Sequence, residues 1–202
     1  IFRRFLLCGG SEARVAKLRH GLTMPDTKPT KTATAAIGPE QRRVILARAR
    51  ELAQGVQNSH PGLAAEIVGL VYHVPSNRLE DFMTVAEELV RDWKPDALSR
   101  LLETMIVKDR IRFGSTWIRF QTRAALETIV EEILVRREYH FRPAGEGAPT
   151  VIDAGANIGL AVYYAKRMNG AGKVIAFEPN PATFKVLKEN VEAAGWADVE
   201  LH

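Results

Sequence analysis

Apolar residues recur every three or four positions through residues 38–107, the spacing that places them along one face of an α-helix. This pattern predicts about four helices. The clearest stripe begins near Asn77 and Glu80, whose separation of three residues is typical of a capping box. Its members are Leu79, Phe82, Met83, Ala86, Leu89, Val90 and Trp93. Core packing explains such a stripe more simply than a ligand site does, so we predict a helical module here.

The pattern changes to alternation after residue 109. Basic and apolar residues alternate on both sides of Gly114 and Ser115, which predicts a β-hairpin over residues 110–120. A further helical stripe follows, and it consists of Leu126, Ile129, Val130, Ile133 and Leu134. Residues 142–149 are rich in Gly and Pro and are expected to form a loop.

Two short apolar runs, each followed by an acid, predict a β-α-β unit. The first run ends at Asp153 and the second at Glu178, with an amphipathic segment between them. Right-handed crossover makes the two strands parallel neighbours. Because ligands bind at the carboxyl ends of such strands, the two acids and the turn at residues 155–159 are expected to gather at one site. A second helix after Asn180 and a third strand from Val199 are also predicted.

The spacing of the glycines separates three classes of ligand. A P-loop ends in Gly-Lys-Ser/Thr, and this turn contains no lysine. A dinucleotide fingerprint needs G-x-G-x-x-G against a pyrophosphate, whereas the order here is G-x-N-x-G, beginning two residues after Asp153. An acid at this place is unfavourable beside a diphosphate and favourable beside a cation. The turn therefore favours S-adenosylmethionine, which carries a sulfonium and an ammonium group and no phosphate.

Each residue of the predicted site suits this cofactor. Asp153 would hold the ammonium group directly or through water, and Glu178 would accept both ribose hydroxyls as a bidentate carboxylate. Gly155 would let the backbone approach the ligand, and Asn157 tolerates a left-handed backbone. Gly159 would let the next helix begin tight against the strand, with its free N–H groups toward the methionyl carboxylate.

Residues 151–160, VIDAGANIGL, and residues 174–191, VIAFEPNPATFKVLKENV, resemble the FkbM-type family of S-adenosylmethionine-dependent methyltransferases. Residues 133–141 also resemble the segment that this family carries before its first motif. The resemblance covers the chain from about Ile111 onward, and its three blocks occur in order. It implies an α/β, Rossmann-like class I methyltransferase fold with a truncated parallel sheet, here preceded by the all-α helical module.

The resemblance also implies an activity, which is transfer of the sulfonium methyl group to an oxygen of a small molecule or a glycan. It further implies that Asn180 lines the adenine and that Tyr139 or Glu138 contacts the cofactor or the substrate. The structural alternatives are that Asn180 only caps a helix and that Tyr139 and Glu138 anchor a helix end. The family's later acidic motif would lie beyond His202, so no catalytic residue is assigned.

The charge of the chain is unevenly distributed. Residues 1–50 carry eleven Lys or Arg against three acids, in a chain whose formal net charge is +4. A basic arm can bind nucleic acid or anionic lipid. This arm lacks the aromatic interleaving of a stacking platform, so a solvated tail is favoured and no nucleic-acid partner is expected.

The number and spacing of the cysteine and histidine residues limit which disulfides and metal sites the chain can form. The single cysteine, Cys8, excludes an intrachain disulfide and suits a reducing compartment, so we predict a cytoplasmic location. The apolar run that ends at Cys8 is too short for a membrane span. The five histidines lie too far apart in sequence for metal-ligand spacing, so no metal site is predicted.

These patterns divide the chain into a basic flexible tail at 1–36, the helical module at 37–108 and the N-terminal half of a methyltransferase domain at 109–202. We interpret the chain as a fragment, inactive by itself, in which the outer edge of the first predicted strand is open. The module could be a cap over the site, a dimerisation surface or a partner-docking unit, and the oligomeric state stays open. One alternative function is a non-catalytic interaction module joined to a degenerate cofactor fold. An NAD-dependent oxidoreductase is a weaker alternative.

Overall fold

Four α-helices fill the segment in which the sequence predicts them. The computed structural model describes residues 6–8, 37–143 and 147–202. The helices are α1 (Pro39–Val56), α2 (Pro61–Val71), α3 (Leu79–Arg91) and α4 (Ala97–Glu103). Both α1 and α2 begin with proline, which is favourable because the first N–H of a helix has no intrahelical acceptor.

The start of α3 differs from the predicted capping box. Asn77 lies inside a short 3₁₀-helix, Ser76–Arg78, that leads directly into α3, and no side chain caps the first turn. Glu80 and Asp81 instead place negative charge at the helix N-terminus, where the helix dipole stabilises it. The predicted helix is confirmed, and the predicted cap is wrong.

The predicted hairpin is confirmed and extended by one strand. β2 (Ile106–Val107), β3 (Arg110–Phe113) and β4 (Thr116–Arg119) form an antiparallel three-stranded sheet in the order β2-β3-β4. Ile111 and Ile118 face each other across the ladder and are both fully buried. The basic residues alternate with them and lie on the opposite face.

The helix after the hairpin ends differently from an ordinary α-helix. α5 (Arg123–Val130) continues into a π-helix, Glu131–Val135, which the apolar spacing does not predict. This π-helix packs on α2 at Gly69, where an added Cβ would lie 2.8 Å from the carbonyl oxygen of Leu134. Only glycine therefore allows the two helices to approach this closely.

The β-α-β unit is confirmed. Its strands β5 (Thr150–Ala154), β6 (Lys173–Phe177) and β7 (Val199–Leu201) are parallel, and they are joined by α6 (Leu160–Arg167) and α7 (Pro181–Ala194). In the register of β5 and β6, Val151 lies opposite Val174 and Asp153 opposite Ala176. All four of these residues are buried, so they define the covered face of the sheet.

The outer edge of β5 is not open, which corrects the sequence-based expectation. A strand from the N-terminal segment, β1 (Leu6–Cys8), pairs with it antiparallel, and Leu7 lies opposite Val151. The sheet order is therefore β1-β5-β6-β7. Basic composition and weak patterning in this segment do not reveal a partner strand more than a hundred residues away. The rest of the predicted tail, residues 1–5 and 9–36, lies outside the described residues.

Two hydrophobic clusters form the interior of the part of the chain that the structure describes. The large core runs from α1 through the hairpin and the π-helix to one face of α6, where it includes Tyr163 and Tyr164. The sheet core lies between the covered face of the sheet, the other face of α6 and α7, and it includes Val162 and Leu187. Because the large core crosses residue 108, the helical module and the segment after it are packed as neighbours. The division into domains stays a prediction. Within the described residues, no helix is long and apolar enough to cross a membrane.

Candidate functional site

The turn between β5 and α6 is shaped by three residues with left-handed backbones. Gly155 has φ 86°, Asn157 has φ 52° and Gly159 has φ 89°. Glycine adopts such angles without a Cβ clash, and asparagine tolerates them better than most residues. The expected left-handed conformation of Asn157 is confirmed. The side-chain oxygen of Asn157 accepts a hydrogen bond from the N–H of Ile158 at 2.8 Å, which stabilises this geometry locally.

The tip of β6 holds this turn in place. The carbonyl oxygen of Phe177 accepts hydrogen bonds from the N–H groups of Gly155 and Ala156 at 2.8 and 2.9 Å. One carboxylate oxygen of Glu178 accepts from the N–H of Asn157 at 2.8 Å. The turn is therefore fixed by the neighbouring strand before any ligand binds.

Glu178 links two loops of the site. Its second carboxylate oxygen accepts from the N–H of Asn180 at 2.9 Å, so the two oxygens bridge the turn after β5 and the turn after β6. Each carboxylate oxygen has a second lone-pair direction, so both can still accept a hydrogen bond from a ligand. The carboxylate is half-buried. The sequence predicted that Glu178 lies at the site. It did not reveal that Glu178 also positions the backbone of the two turns.

The two helices at this edge of the sheet begin in different ways. The side chain of Asn180 caps α7, because its oxygen accepts from the N–H groups of Ala182 and Thr183 at 2.9 and 3.2 Å. The predicted cap is thus confirmed. By contrast, Gly159 at the N-cap of α6 has no side chain and makes no cap hydrogen bond. The positive end of α6 is therefore left for another acceptor.

Asp153 lies next to this helix start, at the end of β5. It is only 2% exposed and sits on the covered face of the sheet, two positions along the strand from Val151. An acid is an unusual occupant of such a face, where burial disfavours its charged form unless it is paired. Its position at the carboxyl end of the strand agrees with the predicted site.

Gly159 allows a close approach, but to a different partner from the one expected. An added Cβ would lie 2.9 Å from a methyl carbon of Leu187 on α7. The prediction placed the tight contact between α6 and the strand. The missing Cβ instead leaves room for the methyl end of the Leu187 side chain, which packs close to the backbone of Gly159.

Tyr139 has a different location from the other predicted residues. Its side chain is 8% exposed and belongs to the large core. Its carbonyl oxygen accepts from the side-chain amide of Asn169 at 3.0 Å, just beyond the C-terminal end of α6. Asn169 follows Leu160 by nine residues, or ~14 Å along a helix. The main chain of Tyr139 is thus at the far end of α6 from the turn. Glu138 is exposed and pairs with Arg136.

Asn190 is a positioning residue that the sequence pattern did not reveal. It is 3% exposed, and its side-chain oxygen accepts from the N–H of Arg119 at 2.7 Å. Its amide nitrogen donates to the carbonyl oxygens of Arg119 and Ile158 at 2.9 and 2.8 Å. One buried amide thereby joins α7, the hairpin and the turn of the site. A single Asn within an apolar stripe gives no signal of such partners.

A buried His73–Tyr163 pair provides a second long-range connection. Nδ1 of His73 lies 3.0 Å from the hydroxyl oxygen of Tyr163 on α6, and the N–H of Gly114 in the hairpin donates to the carbonyl oxygen of His73. Burial, assisted by the positive charge of Arg137, lowers the pKa of His73 to about 4. Burial raises the pKa of Tyr163 to about 12. Both side chains are therefore neutral at pH 7.

The structure thus gathers six of the seven predicted site residues at the carboxyl edge of β5 and β6. They are Asp153, Gly155, Asn157, Gly159, Glu178 and Asn180. The arrangement offers a buried acid, an uncapped helix start and a fixed carboxylate within one short region. Such a set can hold a ligand that carries an ammonium group, a carboxylate and neighbouring hydroxyls.

Comparison with known proteins agrees with this arrangement. Residues 153–201 match the family described as Methyltransferase FkbM domain. The chain is 35% identical over 77 residues to Methyltransferase 1 of Beauveria bassiana (strain ARSEF 2860), and this stretch covers 38% of the chain and 30% of the relative. It is 49% identical over 43 residues to Methyltransferase sdnD of Sordaria araneosa, covering 21% of the chain and 17% of the relative.

These matches span less than a third of the length of either relative. No solved structure matches the chain. The matched family segment begins at Asp153 and contains both strand-end acids. The resemblance to the FkbM-type methyltransferases is therefore confirmed for this segment.

Proposed function

Because residues 153–201 match an FkbM methyltransferase domain, we propose that the chain carries the N-terminal half of a Rossmann-like class I methyltransferase domain. The proposed enzyme uses S-adenosylmethionine and methylates a hydroxyl of a small molecule or a glycan in the cytoplasm. The observation that carries the proposal is the carboxyl edge of β5 and β6, where Glu178 fixes the glycine-rich turn beside the buried acid Asp153.

The residues present fit the proposed cofactor. The uncapped start of α6 at Gly159 provides N–H groups for the methionyl carboxylate, whereas α7 satisfies its own first N–H groups through Asn180. Asp153 supplies negative charge for the ammonium group at the same edge. Gly155 keeps the turn free of a side chain where the ligand would pass. A P-loop lysine, which a phosphate ligand would favour, is absent from this turn.

Glu178 has two roles in this proposal. It holds the backbone of Asn157 and Asn180, and it presents its remaining lone pairs to the two ribose hydroxyls. Since the hydrogen bonds to the backbone exist without a ligand, the carboxylate does not have to reorganise on binding. Preorganisation of this kind lowers the entropic cost of association.

Catalysis in this proposal rests on positioning. The bound cofactor supplies an electrophilic methyl group on its sulfonium. The chain holds the two ends of the cofactor, through α6 and Glu178, so that the methyl group has one orientation toward the acceptor. Placing two reactants in line is sufficient for a large rate increase. No catalytic base is assigned in this chain. Asn180 is proposed only as a neighbour of the adenine, and Tyr139 has no role in the proposed site because it lies at the far end of α6.

Calorimetry on the full-length protein tests the choice of cofactor. We expect S-adenosylmethionine and S-adenosylhomocysteine to bind and NADH not to bind. Affinity for NADH alone would contradict the proposal and favour the oxidoreductase. Binding of S-adenosylmethionine without turnover of any hydroxyl acceptor would favour the degenerate, non-catalytic alternative.

The substitution Glu178→Gln tests the site itself. The amide keeps the shape of the carboxylate but loses its charge and one acceptor oxygen, so we expect S-adenosylhomocysteine to bind roughly tenfold more weakly or worse. Glu200→Gln on β7 is the matched control, because Glu200 is an exposed strand acid that pairs with Lys173. An unchanged affinity in Glu178→Gln, or an equal loss in both variants, would contradict the assignment of Glu178.

A further inference from the structure

The outer face of the hairpin forms a cleft that the proposed methyl transfer does not use. The cleft has a volume of about 400 Å³, which lies within the range of small-molecule sites. It lies between the hairpin and the segment that precedes α3. Its lining residues include Arg78, Lys108, Arg110, Arg112 and Trp117.

The charge of this cleft is almost entirely positive. Four of its lining residues are Lys or Arg, and the single acid among them is Asp109. Asp109 is paired with Arg119, whose side chain also pairs with Glu189, so this acid is already bound from outside the cleft. The guanidinium of Arg119 lowers the pKa of Asp109, which keeps the acid ionised. The lining therefore has an excess of cations.

Three of the four cations form no close ion pair among the described residues, although Arg110 lies near enough to Asp109 to help lower the pKa of that acid. Across residues 37–143 and 147–202, no ion pair involves Lys108, Arg110 or Arg112, whereas Arg78 pairs with the exposed Asp81. The Nε atom of Arg112 is buried and has no hydrogen-bond partner among the described residues. A buried guanidinium donor is normally bonded. The buried Nε is not itself accessible to a ligand, but the guanidinium to which it belongs is not neutralised by an acid, so an anion in the cleft would be stabilised by its charge.

Trp117 adds an aromatic wall to this cleft. It lies opposite Arg112 in the ladder, and the guanidinium carbon of Arg112 is 5.7 Å from the centroid of its ring. The ring orients Arg112 through a cation–π contact. Apolar atoms of Met105 and Val107 also line the cleft. The walls therefore combine cations with flat apolar surface.

The backbone presents Lys108 in an uncommon conformation. Lys108 has φ 57°, a left-handed angle that lysine rarely adopts, in the turn between β2 and β3. It is exposed and lines the cleft together with Arg78, which belongs to the short 3₁₀-helix before α3. Val107 pairs with Arg110, so Lys108 and Asp109 form a two-residue hairpin loop, in which a left-handed first residue is common. The loop thus places one of the unpaired cations at the cleft.

We propose that this cleft is a second ligand site, which binds a small organic oxyanion attached to a planar or apolar body. Arg112 and Arg110 bind the oxyanion, Lys108 contributes charge from the rim, and Trp117 packs against the planar part. A phosphate ester and an aryl carboxylate share this chemistry. The site is independent of the methyl-donor site, since none of its lining residues belongs to the turn after β5.

Titration calorimetry in a phosphate-free buffer of low ionic strength tests the proposal with three probes. Phenyl phosphate and benzoate carry the two oxyanions on the same ring, and benzyl alcohol is the neutral control. We expect at least one of the two anions to bind, more weakly as salt is added, and benzyl alcohol not to bind. The preferred anion identifies the headgroup. Equal binding of benzyl alcohol, or no binding of either anion, would overturn the proposal.

Variants locate the binding. Arg112→Gln should weaken binding of the preferred anion roughly tenfold or more, because one charge-assisted hydrogen bond is lost. Arg43→Gln is the matched control, because it removes the same charge from an exposed residue of α1 that pairs only with Glu40. If Arg112→Gln does not fold, Lys108→Gln gives the test, since its side chain is exposed and should again weaken binding. Equal loss in Arg43→Gln, or no loss in the cleft variants, would overturn the proposal.

Discussion

The two hydrophobic clusters differ in the size of the side chains that fill them. The large core contains bulky residues that are fully buried, such as Phe82, Phe113 and Tyr164. The buried residues of the sheet core are valine and alanine with one leucine, Leu187, and its larger members, Phe141, Phe184 and Trp196, are only partly buried. Burial of larger apolar side chains gives more stabilisation per residue. We therefore expect the proposed site to be built on the less stable of the two clusters.

The sheet core is also stabilised by backbone hydrogen bonds and by a helix that it shares with the large core. The backbone bonds from Gly155 and Ala156 to Phe177 hold the turn in addition to the apolar contacts of the buried Ala156. α6 belongs to both clusters, because Tyr163 and Tyr164 pack into the large core while Val162 packs on the sheet. The large core therefore packs against the face of α6 that points away from the sheet and helps to hold the start of this helix in place. Regions with few buried apolar contacts open most easily, and ligand-binding turns are drawn from such regions.

The largest expected effect comes from Leu187→Ala. The substitution leaves a cavity in the sheet core, and a change of this kind costs about 2–5 kcal/mol. We expect hydrogen exchange of the β5 amides to become faster while the amides of α3 stay protected. Leu89→Ala is the control for the large core, because Leu89 is also fully buried. If Leu187→Ala speeds exchange of the α3 amides as much as that of the β5 amides, the two clusters unfold as one unit. That result would contradict a difference in stability between them.

The next largest effect is on pH dependence in the large core. The folded-state pKa of His73, about 4, lies below the ordinary histidine value of 6.5, so the unfolded chain binds the proton more readily. Stability should therefore fall as pH decreases from 6.5 to 4, by about 3 kcal/mol for the full shift. Burial, assisted by Glu131, raises the pKa of Glu66 to about 7, which has the opposite effect. Stability should fall as pH rises from 4.5 to 7.

Glu66→Gln separates the two contributions. We expect chemical denaturation of this variant to show a steeper loss of stability toward acid than the unmodified chain, because Glu66 no longer opposes the effect of His73. At pH 7 the variant should be the more stable of the two, by a small amount because Glu66 is only partly buried. Identical pH profiles would show that Glu66 does not oppose His73.

Local patterns in the sequence predicted most of the sheet region. Two apolar runs ending in Asp153 and Glu178 defined parallel strands, and the left-handed turn residues follow from the conformational freedom of Gly and Asn. The cap at Asn180 is likewise a property of neighbouring residues. Features of this type depend on spacing over a few positions, so periodicity and turn chemistry reveal them.

Long-range partners could not be predicted in this way. The bond between His73 and Tyr163 joins residues ninety positions apart, and Asn190 contacts Arg119 across seventy-one. The pairing of Leu7 with Val151 joins segments of unlike composition. The sequence predicted only that Glu178 binds the ligand. Its contacts with the backbone were missed, because they depend on how two turns meet in the folded chain. In each case the residue type is compatible with many partners, and only the folded chain selects one.

A smaller effect is expected from the glycine at the start of α6. In Gly159→Ala the left-handed backbone costs about 1–2 kcal/mol, and the new Cβ also contacts Leu187. Gly195→Ala is the matched control, because Gly195 has φ 69° but no atom within 4 Å of its added Cβ. Urea denaturation should show the greater loss of stability for Gly159→Ala. Equal losses would mean that Leu187 moves aside and that the close contact of α6 with α7 is not required.

The most direct test of the account is hydrogen exchange of the full-length protein with and without S-adenosylhomocysteine. If the site lies on the sheet core, the ligand should slow exchange at Gly155, Asn157 and Asn180 and along the start of α6. Exchange in α3 should not change, because that helix is protected by the large core alone. Protection confined to the helices, with no change in the turn after β5, would contradict the location that we assign to the cofactor.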